Sequence, residues 1–172
     1  MDVINLPIHR WKEYREIRLM ALKQDPEAFS SSYADSLKQP DEFWKKRLAE
    51  AAAGKRAWLL FAGQDDKLLG MIGAYLEHES ADMATIVSVY VVREARGRGI
   101  SALLMEAILR LLSSAPALQE ARLSVNVTQL AAIQLYKRFG FREIGVEPSA
   151  TGVGQAVQQL VMQRKLPVQG LN

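Results

Sequence analysis

A glycine-rich turn at residues 96–101, with the sequence RGRGIS, most constrains what this chain can fold into. The turn follows an apolar, β-branched run from Thr85 to Val92, which predicts a buried strand. After the turn, apolar residues recur at the spacing of one helix face: Ile100, Leu103, Leu104, Ala107, Ile108, Leu111 and Leu112. A helix N-terminus leaves backbone N–H groups unpaired and carries positive dipole charge. With two arginines beside those groups, the turn predicts a site for a phosphate-bearing ligand.

Length and composition are those of one ordinary globular domain. The chain has 172 residues, of which 49% are hydrophobic and 24% charged, and this predicts a single domain over residues 1–172. No segment approaches the ~20 apolar residues of a membrane span. The start, Met1 to Pro7, does not resemble a secretory signal. We therefore expect a cytoplasmic protein with no membrane partner.

The titratable residues exclude several kinds of chemistry. The chain has no cysteine, which removes disulfides, thiolate nucleophiles and thiolate metal ligands. His9 and His78 are far apart in sequence and form no ligand motif, so no metal site is expected. The net charge of +3 is too small to predict a nucleic-acid partner, and no run interleaves aromatic with basic residues.

The periodicity predicts an alternation of helices and strands. The predicted helices are Arg10 to Leu22, Asp41 to Ala53 with Asp41 as N-cap, a helix from near Gly99 to before Pro116, and Gln129 to Phe139. The predicted strands are Ala57–Ala62, Leu68–Glu77, Met83–Val92, Ala121–Val127, Phe141–Val146 and Ala156–Leu166. Two helices thus precede a three-stranded meander. This mixed order is typical of an α/β domain with a partly antiparallel sheet.

Taken alone, the turn has several interpretations. A dinucleotide site needs G-x-G-x-x-G/A and an acidic residue at the end of the next strand. Gly97, Gly99 and Ala102 fit the first requirement, but Asn126 stands near that strand end and Glu120 comes before the strand begins. A P-loop is excluded, because no Gly-Lys-Ser/Thr follows. The pyrophosphate loop of an acyl-CoA enzyme and a plain strand-to-helix turn both stay open.

A second segment, residues 131–141 with the sequence AAIQLYKRFGF, places a tyrosine on a short helix that Gly140 ends. A tyrosine on an apolar helix face is by itself more commonly a core residue. Together, however, the two segments resemble the GNAT acetyltransferase superfamily. Residues 89–101 (VYVVREARGRGIS) resemble its acetyl-CoA signature, and the pattern from Ala132 through Tyr136 to Phe141 resembles its second cofactor segment. The order of elements is similar over nearly the whole chain.

Some positions depart from the family pattern. Ser101 stands where glycine or alanine is usual, and its small hydroxyl can itself contact phosphate. Arg93 replaces a frequent proline. Gln129 stands where an asparagine often begins the second segment, so Asn126 is a candidate for the amide contact to the pantetheine arm.

The resemblance implies a fold and an activity. The fold would be a mixed, mostly antiparallel central sheet flanked by helices, with a splayed strand pair that holds acetyl-CoA as co-substrate. The activity would be acetyl transfer to a primary amine by direct attack in a ternary complex, with the backbone N–H of Val91 facing the thioester carbonyl. The implied cofactor-binding residues are Val91, Val92, Arg93, Arg96, Gly97, Arg98, Gly99, Ile100, Ser101, Asn126, Gln129 and Tyr136.

The resemblance also makes Tyr136 the candidate general acid, since its ordinary pKa of ~10 keeps it protonated until a thiolate forms. Glu77 or Glu79, near the hairpin of the two central strands, is the candidate base, although both also fit solvated turn residues. Without a cysteine, an acetyl-cysteine intermediate is impossible. A non-catalytic acetyl-CoA-binding or sensing module is the alternative, and it would not need Tyr136.

The acceptor is expected to be a small-molecule or peptide amine that contacts the N-terminal helices. Aromatic residues there either line an acceptor cleft or, as is more common, pack the core: Trp11, Phe29, Tyr33, Phe43 and Trp44. A homodimer formed through the closing strands is compatible with the sequence.

Overall fold

The computed structural model describes residues 1–77 and 81–167. Its helices are α1 (Trp11–Gln24), α2 (Tyr33–Leu37), α3 (Asp41–Ala53), α4 (Ile100–Ser113) and α5 (Leu130–Arg138). Its strands are β1 (Asp2–Ile4), β2 (Ala57–Gln64), β3 (Lys67–Leu76), β4 (Met83–Val91), β5 (Glu120–Asn126), β6 (Arg142–Ala150) and β7 (Ala156–Lys165). Short 3-10 turns precede α1, follow it, and follow β4.

The seven strands form one sheet in the order β1-β2-β3-β4-β5-β7-β6. Each described pairing of neighbours is antiparallel except that of β4 with β5, which is parallel. The long α4 connects those two strands, as a parallel pair requires a crossover. The mixed, mostly antiparallel sheet flanked by helices is therefore confirmed.

Helices cover both faces of the sheet. Phe61 of β2 packs against Tyr14 of α1 with ring centroids 5.7 Å apart, so α1 lies on one face. On the other face, Gly70 of β3 lies under α4, and a Cβ added there would come within 2.9 Å of Leu104 Cδ1. Glycine at this position lets α4 approach the sheet closely. The buried face of α4 is rotated from the predicted stripe, because Met105 and Leu109 are fully buried.

The sheet opens between its two parallel strands. Pairing of β4 with β5 runs from Met83 to Thr85 on the β4 side and is not continued along the rest of the described strands. Ser88 has a φ of +59°, and the register between β3 and β4 shifts at this point. A β-bulge of this kind bends its strand. The bend carries the end of β4 away from β5 and confirms the splayed pair.

Several boundaries differ from the prediction. The strand β1 and the short α2 were not expected, because each is too short to show periodicity. The N-cap of α3 is Pro40 rather than Asp41, which is the first residue of the helix. The strand β6 extends to Ala150 and includes Pro148, which an edge strand tolerates. Within residues 1–77 and 81–167, no helix is both long and apolar enough to cross a membrane.

Candidate active site

The glycine-rich turn has the geometry of an anion cradle. Gly97 and Gly99 have φ values of +77° and +78°, which only glycine adopts readily, and Gly99 is the N-cap of α4 without a capping side chain. Between Gly97 and Ala102, no N–H donates to a backbone carbonyl of the described chain. No atom lies within 4 Å of an added Cβ at either glycine. The amides are therefore accessible beside the positive end of the helix dipole.

The arginines near the turn are held in different ways. Arg96 donates from Nε to the Val91 carbonyl oxygen at 3.0 Å and forms an ion pair with Asp25. Arg93 also pairs with Asp25, at 3.2 Å, and hydrogen-bonds the Gln24 carbonyl. These contacts join the turn to the end of α1.

Arg98, by contrast, points toward the β2–β3 hairpin. Its Nη2 donates to Gln64 Oε1 at 2.9 Å. Arg98 does not line the cavity beside the turn, whereas Arg96 does. The structure thus separates the two arginines that the sequence grouped together.

The backbone of Val91 is directed toward the opened side of the sheet. The next residue, Val92, donates its N–H to the Leu69 carbonyl of β3 at 2.9 Å. Successive residues of an antiparallel strand direct their backbone groups to opposite sides. The N–H of Val91 therefore points away from β3, to the side on which β5 has separated.

Two cavities flank this part of the sheet. The first, here called the turn cavity, has a volume of about 850 Å³. Its lining comes from the turn, the end of β4, the loop before α5 and α5 itself, and includes Val91, Arg96, Gly97, Gly99, Ser101, Thr128, Gln129, Tyr136 and Arg138. The second, here called the arginine cavity, has a volume of about 500 Å³. Its charged lining residues are Arg18, Arg47, Glu77, Arg122 and Glu147.

Tyr136 lies where the two cavities meet. The cavities share the lining residues Ala28, Phe29, Val89, Gln129 and Tyr136. The side chain of Tyr136 is only 6% exposed, and its ring packs edge-on against Phe141 at 6.2 Å. Burial raises the pKa of Tyr136 to about 12. The phenol therefore stays protonated at any physiological pH, as a proton donor must.

The remaining predicted residues near the turn have diverse positions. Val92 and Ile100 are buried in the core, and Gln129 lies at the junction of the cavities. Asn126 is buried, and its Oδ1 accepts hydrogen bonds from the Thr128 N–H at 3.0 Å and hydroxyl at 2.9 Å. This bonding shapes the turn into α5. The expected contact of Asn126 with the pantetheine arm stays a prediction.

One of the two candidate bases lies in the arginine cavity. Glu77 lines it and accepts a hydrogen bond from Thr85 Oγ1 at 3.4 Å. Glu79 lies outside the described residues. Glu147 of β6 is a second carboxylate in the same cavity, and the sequence analysis missed it because the predicted strand ended at Val146.

The aromatic residues of the N-terminal helices mostly pack the core, the more common of the two alternatives considered for them. Phe29 lines both cavities. Trp44 is buried in the core, with its ring centroid 5.2 Å from that of Tyr14. Trp11, Tyr33 and Phe43 are partly buried against the core.

Two further residues line the site but are not among the residues predicted from the sequence. Arg138 lines the turn cavity and directly follows the second cofactor segment's tyrosine and lysine. Arg18 directly follows Ile17 in α1, and both residues are buried. Across the described ranges, no group of three or more His, Asp or Glu residues is placed to hold a metal ion.

Known proteins share the fold of this chain. The family model of the acetyltransferase (GNAT) family matches residues 14–141. A GNAT-family acetyltransferase from Streptococcus pneumoniae superposes with a TM-score of 0.83 at 16% identity, over 96% of this chain and 99% of that one. A ribosomal-protein-alanine N-acetyltransferase from Brucella melitensis gives 0.77 at 18% identity, over 96% and 100%.

A third similar structure was determined with a ligand. It is the PaiA N-acetyltransferase from Thermoplasma acidophilum in complex with coenzyme A, with a TM-score of 0.71 and 19% identity, over 96% of this chain and 98% of that one. The chain has the fold of an acetyltransferase, and its match to the family model covers most of its length. It belongs to the GNAT family of acetyltransferases.

Proposed function

We propose that this chain is an N-acetyltransferase, formed by residues 1–172 as one domain, that transfers the acetyl group of acetyl-CoA to a primary amine. One observation carries the proposal: Tyr136 lies at the junction of a cavity lined by the unpaired turn amides and a cavity with acidic and basic lining. The first suits a phosphorylated acyl donor, and the second suits an acceptor. The buried phenol between them suits a proton transfer.

The turn fits the diphosphate of coenzyme A. A diphosphate needs several donors directed at one point, and the N–H groups that follow Gly97 supply them at the start of α4. The space over Gly97 and Gly99 is open to such a group. Arg96 and Arg138 both line this cavity and add positive charge to it.

The end of β4 provides a hydrogen-bond donor of the kind that acetyl transfer requires. Attack of a neutral amine on the thioester carbon places negative charge on the carbonyl oxygen. The Val91 N–H, directed into the opening between β4 and β5, is a fixed backbone donor for that charge. A donor that is already oriented needs no reorganisation when charge develops.

Proton transfers complete the reaction. The amine nitrogen attacks the thioester carbon to form the C–N bond and a tetrahedral intermediate, and collapse of this intermediate breaks the C–S bond. The departing thiolate takes the proton of the Tyr136 hydroxyl, and the proton that the new amide nitrogen loses restores the phenol. The attacking ammonium group must first lose a proton, and Glu77 in the arginine cavity is the proposed acceptor, directly or through water. Since the chain has no cysteine, the amine attacks the thioester directly in a ternary complex.

A non-catalytic acetyl-CoA-binding module is the second candidate. It would need the turn and the opened strands, but not a buried tyrosine between two cavities. The position of Tyr136 favours the enzyme. The cytoplasmic location and the homodimer stay predictions from the sequence.

Titration with acetyl-CoA, followed by a panel of amines monitored through free-thiol release, tests the proposal. We expect saturable binding and thiol release with one class of amine, and loss of release without loss of binding in Tyr136→Phe. Saturable binding with no release from any amine would favour the module. No binding would exclude both functions.

A further inference from the structure

The arginine cavity contains a buried arginine that pairs with no acidic residue among residues 1–77 and 81–167. Arg18 of α1 is only 8% exposed. Its guanidinium donates to Ser88 Oγ at 3.3 Å and to Ser31 Oγ at 3.4 Å, and it lies 4.9 Å from the Phe29 ring centroid. Both hydrogen bonds are longer than the usual N–H···O distance. The N–H groups of Arg18, five in an arginine, therefore form only weak hydrogen bonds with these residues.

Such a charge is normally paired when it is buried. None of the ion pairs found among residues 1–77 and 81–167 includes Arg18. Burial lowers the pKa of the guanidinium from its usual value; of its neighbours, Tyr14 raises this pKa and Arg47 lowers it, so the net shift is downward. The protein surroundings therefore disfavour this charge, whereas an anion in the cavity would stabilise it.

The other charged groups around the cavity indicate which kind of molecule would carry this anionic group. Glu77 of β3 and Glu147 of β6 also line it, and each attracts an ammonium group. Arg122 of β5 is engaged, since it donates to Gln163 Oε1 at 2.9 Å. Arg47 of α3 is exposed and has its guanidinium 5.1 Å from the Phe43 ring centroid. The cavity thus provides a weakly bonded buried cation together with carboxylates.

We propose that the acceptor is an amine that also carries a carboxylate, as amino acids do, and that Arg18 binds this carboxylate while the amine faces Tyr136. The inference rests on the proposed function and names the substrate class of the same site. A guanidinium fork matches the two oxygens of a carboxylate. A phosphate dianion fits less well, because Glu77 and Glu147 repel two negative charges more than the single charge of a carboxylate, and they attract the ammonium group of an amino acid.

Matched acceptors test the assignment. The common L-amino acids differ from their carboxamides in the carboxylate and, through it, in the basicity of the amine, so we compare how each substitution changes kcat/KM for the two sets by free-thiol release. Wild type should favour the acids. In Arg18→Gln the KM for the acids should rise about 10- to 100-fold while that for the amides changes little. Arg18→Lys should restore part of the preference, because it keeps the charge.

Arg15→Gln is the matched control. Arg15 lies on the same helix, contacts the Leu37 carbonyl at 3.4 Å and lines neither cavity. This variant should keep the wild-type preference. Equal use of acids and amides by wild type, or an equal loss for both sets in Arg18→Gln, would overturn the inference.

A binding experiment tests the inference even if the natural acceptor is absent from the panel of amines. Calorimetry with N-acetyl-L-amino acids and with their amides, in the presence of coenzyme A, reports carboxylate recognition without turnover. We expect the acids alone to bind, and Arg18→Gln to abolish that binding. If none of the N-acetyl-L-amino acids binds, the inference is wrong. The proposed function still stands in that case, provided that coenzyme A binds. Loss of coenzyme A binding itself would refute the proposed function.

Discussion

Arg96 donates a hydrogen bond from Nε to the Val91 carbonyl oxygen at 3.0 Å, so the first arginine of the turn closes back on the last residue of β4. The bond fixes the strand end whose N–H faces the opening in the sheet. It also places the guanidinium beside Asp25 and within the turn cavity. A single side chain thereby links the phosphate cradle to the proposed oxyanion donor.

Replacement of Arg96 by lysine should weaken coenzyme A binding about 10-fold or more. Lysine lacks the planar fork that contacts Val91 and Asp25 together. Arg98→Lys is the matched control, because Arg98 contacts Gln64 outside the turn cavity. We expect it to change the calorimetric Kd by less than about 3-fold, which is below the effect of losing a typical hydrogen bond. An equal loss of coenzyme A affinity in both variants would contradict the separate roles of Arg96 and Arg98.

A side chain added at a turn glycine should weaken the binding of coenzyme A. In Gly99→Ala the left-handed backbone costs roughly 1–2 kcal/mol of stability, and the added methyl group occupies the open cradle. Gly154→Ala imposes the same strain at a φ of +80° in the β6–β7 loop, with no atom within 4 Å of the new Cβ. Chemical denaturation should show similar destabilisation in both variants, and calorimetry should show reduced coenzyme A affinity in Gly99→Ala alone.

Replacement of Tyr136 by phenylalanine should reduce kcat by ~10²–10⁴-fold, the usual contribution of a positioned acid. The Kd for acetyl-CoA should change little, because the ring and its packing on Phe141 are retained. Tyr75→Phe removes a hydroxyl from the arginine cavity instead, and should leave kcat nearly unchanged. An unaltered rate in Tyr136→Phe would remove this residue from the mechanism.

The buried phenol should also make stability depend on alkaline pH. Burial raises the pKa of Tyr136 to about 12 in the folded state, above the unfolded value of ~10. Between these values the folded state binds the extra proton, so this contribution is complete below pH ~10 and is lost as the pH rises toward about 12. The loss reaches roughly 3 kcal/mol. Chemical denaturation of wild type and Tyr136→Phe across this pH range measures the loss of stability. The same pH dependence of the unfolding free energy in both proteins would contradict the raised pKa of Tyr136.

Much of the fold could be predicted, because long elements show clear periodicity. The run before the turn and the stripe after it fixed β4 and α4 within a few residues. The bulge at Ser88 could not be predicted, since serine rarely adopts a φ of +59° and no local pattern indicates it. The splay between β4 and β5 was known only from the family resemblance.

The candidate site was predicted less completely, because side-chain direction depends on tertiary contacts. Gly97, Gly99 and Tyr136 follow from motifs, and the structure brings them to one cavity. The partner of Arg98 on the neighbouring hairpin is invisible in a linear sequence. Arg18 was missed for a physical reason: a charged residue beside an apolar stripe is normally solvated, whereas here the bulge and the Ser31 loop enclose it.

The central claim is that the turn amides at the start of α4 hold the diphosphate of coenzyme A. Calorimetric titration of the purified protein with coenzyme A, and separately with pantetheine, which lacks the diphosphate, tests it most directly. We predict saturable binding of coenzyme A and a much weaker response to pantetheine. No heat with coenzyme A at millimolar concentration, or equal affinity for both ligands, would contradict the account.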